Sequence, residues 1–189
     1  MIEEGGKMLL TIALLIILAL GAYGGARRGL VLQLVMTIGY VISYFVAANY
    51  YKALGEKLDL LVPYPSASEG TQFVFYNQSI GFNLDQAFYN GVAFILILFI
   101  GWLITRFIGG LLNSLTYIPV IKQLNTVGGA ILAFVVSYTG IFLVLVLLTM
   151  LPFAVIQNAF NDSRLAQTIV ESTPVLSKQI YDWWIQTTL

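Results

Sequence analysis

The chain has 189 residues, 59% of them apolar and only 10% charged, with a mean hydropathy of +0.87. A soluble domain carries about 25% charged residues, so this composition excludes one and leaves lipid as the solvent for most of the surface. Formal net charge is zero and the chain lacks both His and Cys. That removes disulfides, thiolate chemistry, His-ligated metals and Ser-His dyads, and leaves no general attraction to nucleic acid.

The first uncharged stretch, Met8 to Ala26, follows an acidic start with Glu3, Glu4 and Lys7 and precedes Arg27 and Arg28. A signal peptide carries a basic leader, so this order reads as an uncleaved anchor. Gly29 to Tyr51 is the second uncharged stretch, and Leu54, Leu58, Leu61 and Val62 extend its amphipathic pattern as far as Pro63. Ser66 to Gln72 is a polar loop. Gln86 to Thr105 and Gln123 to Asn161 are uncharged too, the second being most apolar from Val127 to Leu151. Each stretch can cross ~30 Å of hydrocarbon as a helix.

The expectation is an all-α membrane protein whose domain, 1–151, has spans at about 8–26, 29–51, 86–105 and 127–151 and an outer loop at 52–85. Residues 107–121 carry Leu111, Leu112, Leu115 and Ile118 at helical spacing before Pro119. They form an interfacial helix or an extension of the third span. The tail, 152–189, reads as two amphipathic helices on the outer membrane surface. One has the face Leu165, Ile169 and Val170; the other is capped by Thr173 before Pro174 and has the face Leu176, Ile180, Trp183 and Trp184. Tryptophan suits the headgroup layer.

Arg27, Arg28, Arg106 and Lys122 flank the two short connections, which have no acidic residue. By the positive-inside rule these connections face the cytoplasm and both termini face outward. The arginines set topology or, in the sharper reading, contact an anion. Asn125 reads as a helix cap at the start of span four.

Small residues recur four apart in every span: Gly21, Gly25 and Gly29; Gly39, Ser43 and Ala47; Gly101, Thr105 and Gly109; Gly129, Ala133 and Ser137. They allow close helix packing, either within one bundle or, for the all-glycine first ladder, against a partner. Leu18 is expected on a lipid-facing side. Gln33, Thr37, Asn49, Asn90, Thr105, Ser137 and Thr149 are uncharged polar residues inside the spans. They hydrogen-bond helices together or line a narrow polar pore. No ionisable residue lies within the four expected spans, which argues against a proton relay or an intramembrane protease.

Gly24, Gly25, Ala26, Arg27, Arg28, Gly29 and Leu30, then Ala47, Ala48, Asn49 and Tyr50, then Leu124, Asn125, Thr126, Val127, Gly128, Gly129 and Ala130 together resemble the bacterial colicin V production protein family. Ser163, Arg164, Leu165 and Ala166, with Thr173 and Pro174, are similar to its post-membrane pattern. Family members often place Arg after the Asn, where Thr126 stands here, so an anion-binding role at that spot is not carried over. The long 52–85 loop resembles the Gram-positive versions.

The resemblance implies a multi-pass protein of the bacterial cytoplasmic (inner) membrane, linked to peptide-toxin production or export and envelope maintenance, with no established catalytic set. The chain is therefore read as a non-enzymatic accessory protein without catalytic, cofactor or metal residues. The alternative is a subunit of an oligomeric small-solute channel or transporter. Expected partners are the lipid bilayer and either a second copy or another membrane protein.

Overall fold

A computed structural model describes residues 8–61, 63–65, 67, 72–81, 84–112 and 122–186. Among them the ordered elements are all helical: α1 (Leu9–Arg28), α2 (Leu30–Leu58), α3 (Gln78–Gly81), α4 (Asp85–Leu112), α5 (Lys122–Thr149), α6 (Ala154–Asn161), α7 (Arg164–Ser172) and α8 (Leu176–Tyr181). A π-helical turn, Asp182–Gln186, follows α8. Four of these, α1, α2, α4 and α5, are long and apolar enough to cross a membrane. The chain is a membrane protein with transmembrane helices.

The helices overrun the expected spans where polar residues can continue a helix beyond the apolar stretch. α2 runs on through Lys52 and Glu56 to Leu58, and α5 starts at Lys122, one turn before Val127. Of the two readings of 107–121, the described part follows the second, because α4 continues without a break through Arg106 to Leu112. Residues 113–121, with Leu115, Ile118 and Pro119, lie outside the described residues, as do Met1–Lys7.

Contacts group the described residues into two compact units. One comprises Leu15–Asn49 and Ile95–Ile141, so each long helix contributes a segment. Its helix pairs are antiparallel: Gly21 and Gly25 of α1, and Gly29 just after it, meet Ser137, Ala133 with Gly129, and Asn125 of α5 in turn. Gly39 meets Thr105, Ser43 meets Gly101, and Met36 meets Gly109, pairing α2 with α4. The outer faces are aliphatic and aromatic, with Leu15, Ile16, Ile38, Phe45, Phe99, Leu103, Ile131 and Val135 all exposed. So continuous an apolar surface requires lipid around it. Leu18 departs from expectation: it is 7% exposed, because it falls on the packed side of α1 one turn after buried Leu14.

The other unit comprises the described parts of Met1–Leu14, Tyr50–Phe94 and Phe142–Leu189. Its core includes Phe94, Phe142, Met150, Phe160, Ile169, Ile180 and Trp184. The expectation of headgroup-layer tryptophans fails for Trp184, which is fully buried with its ring 5.5 Å from that of Phe94. Trp183 stacks on Tyr51 at 6.3 Å instead. Both have aromatic partners within the unit, and the Trp184 indole fills its core while Trp183 is half-buried beside it.

Local capping also differs from expectation. The Thr173 hydroxyl donates to the Ile169 carbonyl and so closes α7 instead of opening the next helix, which begins after Val175. Ser163 caps α7, its hydroxyl accepting the Ala166 N–H at 3.2 Å. The same hydroxyl lies 2.8 Å from that of Thr11.

Candidate functional site

The polar features of the unit containing Leu15–Asn49 converge where α1 gives way to α2. α1 ends at Arg28, and Gly29 adopts φ +86°, a left-handed conformation that glycine takes without a Cβ penalty. The chain turns there and α2 begins at Leu30. Its first N–H would be orphaned in apolar surroundings, but the Asn125 Oδ1 accepts it at 2.8 Å. Asn125 is thus a helix cap, but for α2 across the bundle; within its own helix it lies one turn inside. A Cβ on Gly29 would overlap the Asn125 amide, so glycine and asparagine fit only as a pair.

Beside this corner lies an open cavity of about 340 Å³. Arg28, Gln33, Tyr40 and Arg106 supply its polar part, together with Ser137. Arg28 Nη1 donates to Gln33 Oε1 at 3.3 Å, and Gln33 itself is 1% exposed. Tyr40 lies within hydrogen-bonding reach of Arg106 and feels the charge of both arginines. Arg106 lies over the Trp102 ring, 5.4 Å from its centroid, a cation–π contact that holds the guanidinium at the rim. Ile17, Leu20, Ala133 and Val136 complete the wall, which includes no carboxylate.

The remaining candidate residues divide by role. Gly21, Gly25, Gly39, Gly101 and Gly109, with Ser43, Thr105, Gly129 and Ala133, lie in the two helix crossings, and Ala47 is fully buried. A Cβ on Gly25 would overlap the Ala133 Cβ and the Gly129 carbonyl, so α5 of the same chain occupies the first ladder. Arg27 is exposed, 6.0 Å from the Tyr23 ring centroid, and does not line the cavity. Thr37, Ser43 and Asn49 donate to carbonyls four residues earlier in α2. Asn90 and Thr149 belong to the other unit.

Tyr40 and Trp102 escaped the reading from sequence, although spacing marked them. Tyr40 lies seven residues after Gln33, and Arg106 lies four after Trp102, so each pair shares a helix face. Also missed was Gln157, 4% exposed in the other unit. Its amide donates to the Thr149 and Leu151 carbonyls at 3.1 and 2.8 Å and accepts the Val74 N–H at 2.9 Å. Nearby, Tyr76 and Thr149 hydroxyls lie 2.8 Å apart, and burial raises the Tyr76 pKa to about 12.

Comparison with known proteins places this arrangement. The chain is similar to the uncharacterized transmembrane protein YshB of Bacillus subtilis (strain 168), 34% identical over 178 residues that cover 94% of this chain and 98% of the relative. No solved structure matches it. The colicin V production protein profile matches residues 10–174, a stretch holding the four long helices but for Leu9, the Gly29–Asn125 corner and the cavity. By that match the chain belongs to the colicin V production protein family.

Proposed function

We propose that this protein is a non-enzymatic accessory factor of the bacterial cytoplasmic membrane, serving production or export of a peptide toxin and maintenance of the envelope through contacts with other membrane proteins. The observation that carries this reading is the family match across residues 10–174. It is supported by a chain without His or Cys, which has few groups suited to acid–base or nucleophilic work. Both termini face outward in this reading, with the connections that carry Arg28 and Lys122 in the cytoplasm.

Reconstitution tests it against the channel alternative. Purified protein in liposomes should pass no ions or small solutes above empty vesicles, while crosslinking in cells followed by mass spectrometry should recover a reproducible set of membrane proteins. Solute flux that disappears on Gln33→Leu would replace this reading with a channel.

A further inference from the structure

Arg28 and Arg106 lie close enough to act on each other electrostatically, yet no carboxylate lines the cavity they share. Two like charges at the edge of a low-dielectric bundle are costly unless something neutralises them. Around them stand groups able to hold an anion: the Tyr40 and Ser137 hydroxyls and the Gln33 amide. Guanidinium groups pair with phosphate through parallel N–H donors, and hydroxyl and amide donors can complete the oxygen shell.

The cavity continues along α1 past Gly21 and Leu20 to Ile17. Ile17 lies about three helical turns before Arg28, a distance of roughly 16 Å at ~1.5 Å per residue. Ile17 and Leu20 are exposed by 50% and 64%. One end of the cavity is aliphatic and the other basic, and the Ser137 hydroxyl, which meets Gly21, stands between the two. An inorganic anion would use only the basic end, whereas a lipid would use both.

We propose that this cavity binds a phosphate anion, carried by an anionic phospholipid whose headgroup lies between Arg28 and Arg106 and whose acyl chain follows Leu20 and Ile17. Gln33 orients Arg28 through their hydrogen bond, and Trp102 holds Arg106 at the rim. The site goes beyond the accessory role and does not depend on it.

The full-length protein, purified in a neutral detergent, supplies the test. Native mass spectrometry and thermal unfolding would be measured with phosphatidylglycerol, with phosphatidylcholine, and with inorganic phosphate against chloride at matched ionic strength. Phosphatidylglycerol should be retained and should raise the unfolding temperature, while phosphatidylcholine does neither. Losing two charge-assisted contacts in Arg28→Gln/Arg106→Gln should weaken phosphatidylglycerol binding roughly tenfold or more. Arg27→Gln, outside the cavity, should bind as the parent does.

Equal retention of the two lipids by the parent protein overturns the proposal, as does undiminished phosphatidylglycerol binding in the double variant. Stabilisation by inorganic phosphate equal to that by phosphatidylglycerol overturns the lipid assignment. Should the double variant not fold, Arg106→Gln alone replaces it, since that side chain is exposed and fills no core. The comparison of lipids on the parent protein needs no variant.

Discussion

The Asn125 side-chain oxygen accepts the Leu30 backbone N–H at 2.8 Å, so a residue inside α5 caps the start of α2 from 95 positions away in the chain. Asn125→Ala removes the acceptor and should lower stability by about 0.5–2 kcal/mol, while Asn125→Asp keeps an acceptor and should recover part of the loss. Gly29→Ala should cost more than Asn125→Asp, because it adds a left-handed penalty to an overlap with the Asn125 amide. Thermal unfolding of the three variants in one detergent gives the ranking, and an unchanged Asn125→Ala would remove the cap from the account.

The first glycine ladder gives a second expectation. Gly25→Leu places a branched side chain where Ala133 and the Gly129 carbonyl already lie, an overpacking that costs ~1–3 kcal/mol or more where backbone blocks relaxation. Membrane insertion should survive, since leucine is favourable in lipid. Leu15→Ala, on the exposed side of the same helix at 54%, should shift the unfolding temperature far less. Leu18→Ala should behave as a core truncation and cost ~2–5 kcal/mol. Equal shifts for Leu15 and Leu18 would contradict the orientation of α1.

Gln157 holds three backbone groups in a buried place. Gln157→Leu fills similar space but leaves the Val74 N–H and the Thr149 and Leu151 carbonyls without that partner. The buried Thr149 carbonyl so stranded costs ~1–3 kcal/mol, and the part-buried Val74 and Leu151 groups less. Hydrogen exchange should quicken at Val74 in the variant, and unchanged protection there would argue against the hub.

Tyr76 makes stability pH-dependent on the alkaline side. Its pKa is raised from 10.0 to about 12 by burial, so the folded state favours the neutral phenol. The contribution is complete below the unfolded value near 10 and is lost as pH rises toward 12. Tyr64, half-buried and donating to the Met150 carbonyl at 2.6 Å, is raised in the same direction. Unfolding in alkali should therefore flatten in Tyr76→Phe, as followed by tyrosinate absorbance against helical circular dichroism.

Topology can be read directly because the chain has no Cys. Single cysteines at the exposed positions Asn158 and Gln123 should differ in intact cells. The first should react with a membrane-impermeant maleimide and the second should not. The reverse pattern would invert the proposed orientation.

The four long helices were legible because uncharged runs between Arg27, Arg28, Lys52, Asp85, Arg106 and Lys122 are a one-dimensional signal. The ladders were legible as well, but their partners were not: spacing shows that Gly21 and Gly25 share a face without showing that Ser137 and Ala133 fill it. Trp184 looked like an interfacial anchor because composition says nothing of Phe94, distant in sequence but packed on its ring. Arg28 and Arg106 stand out in the sequence as isolated charges beside apolar runs, whereas their common cavity depends on how α1, α2, α4 and α5 pack. Asn125 reads as a cap from sequence, and only the turn at Gly29 shows which helix it serves.

At the crossing of α2 and α4, Ser43 occupies the space that a Cβ on Gly101 would need, and Thr105 does the same to Gly39. Volume at such a crossing belongs to the pair and can be moved from one helix to the other. Gly101→Ser alone should damage the bundle, yet combined with Ser43→Gly it should be restored. In the lineage of this chain, growth at one of these positions is then expected to accompany shrinkage at the other, so the two sites would record a shared history of exchange.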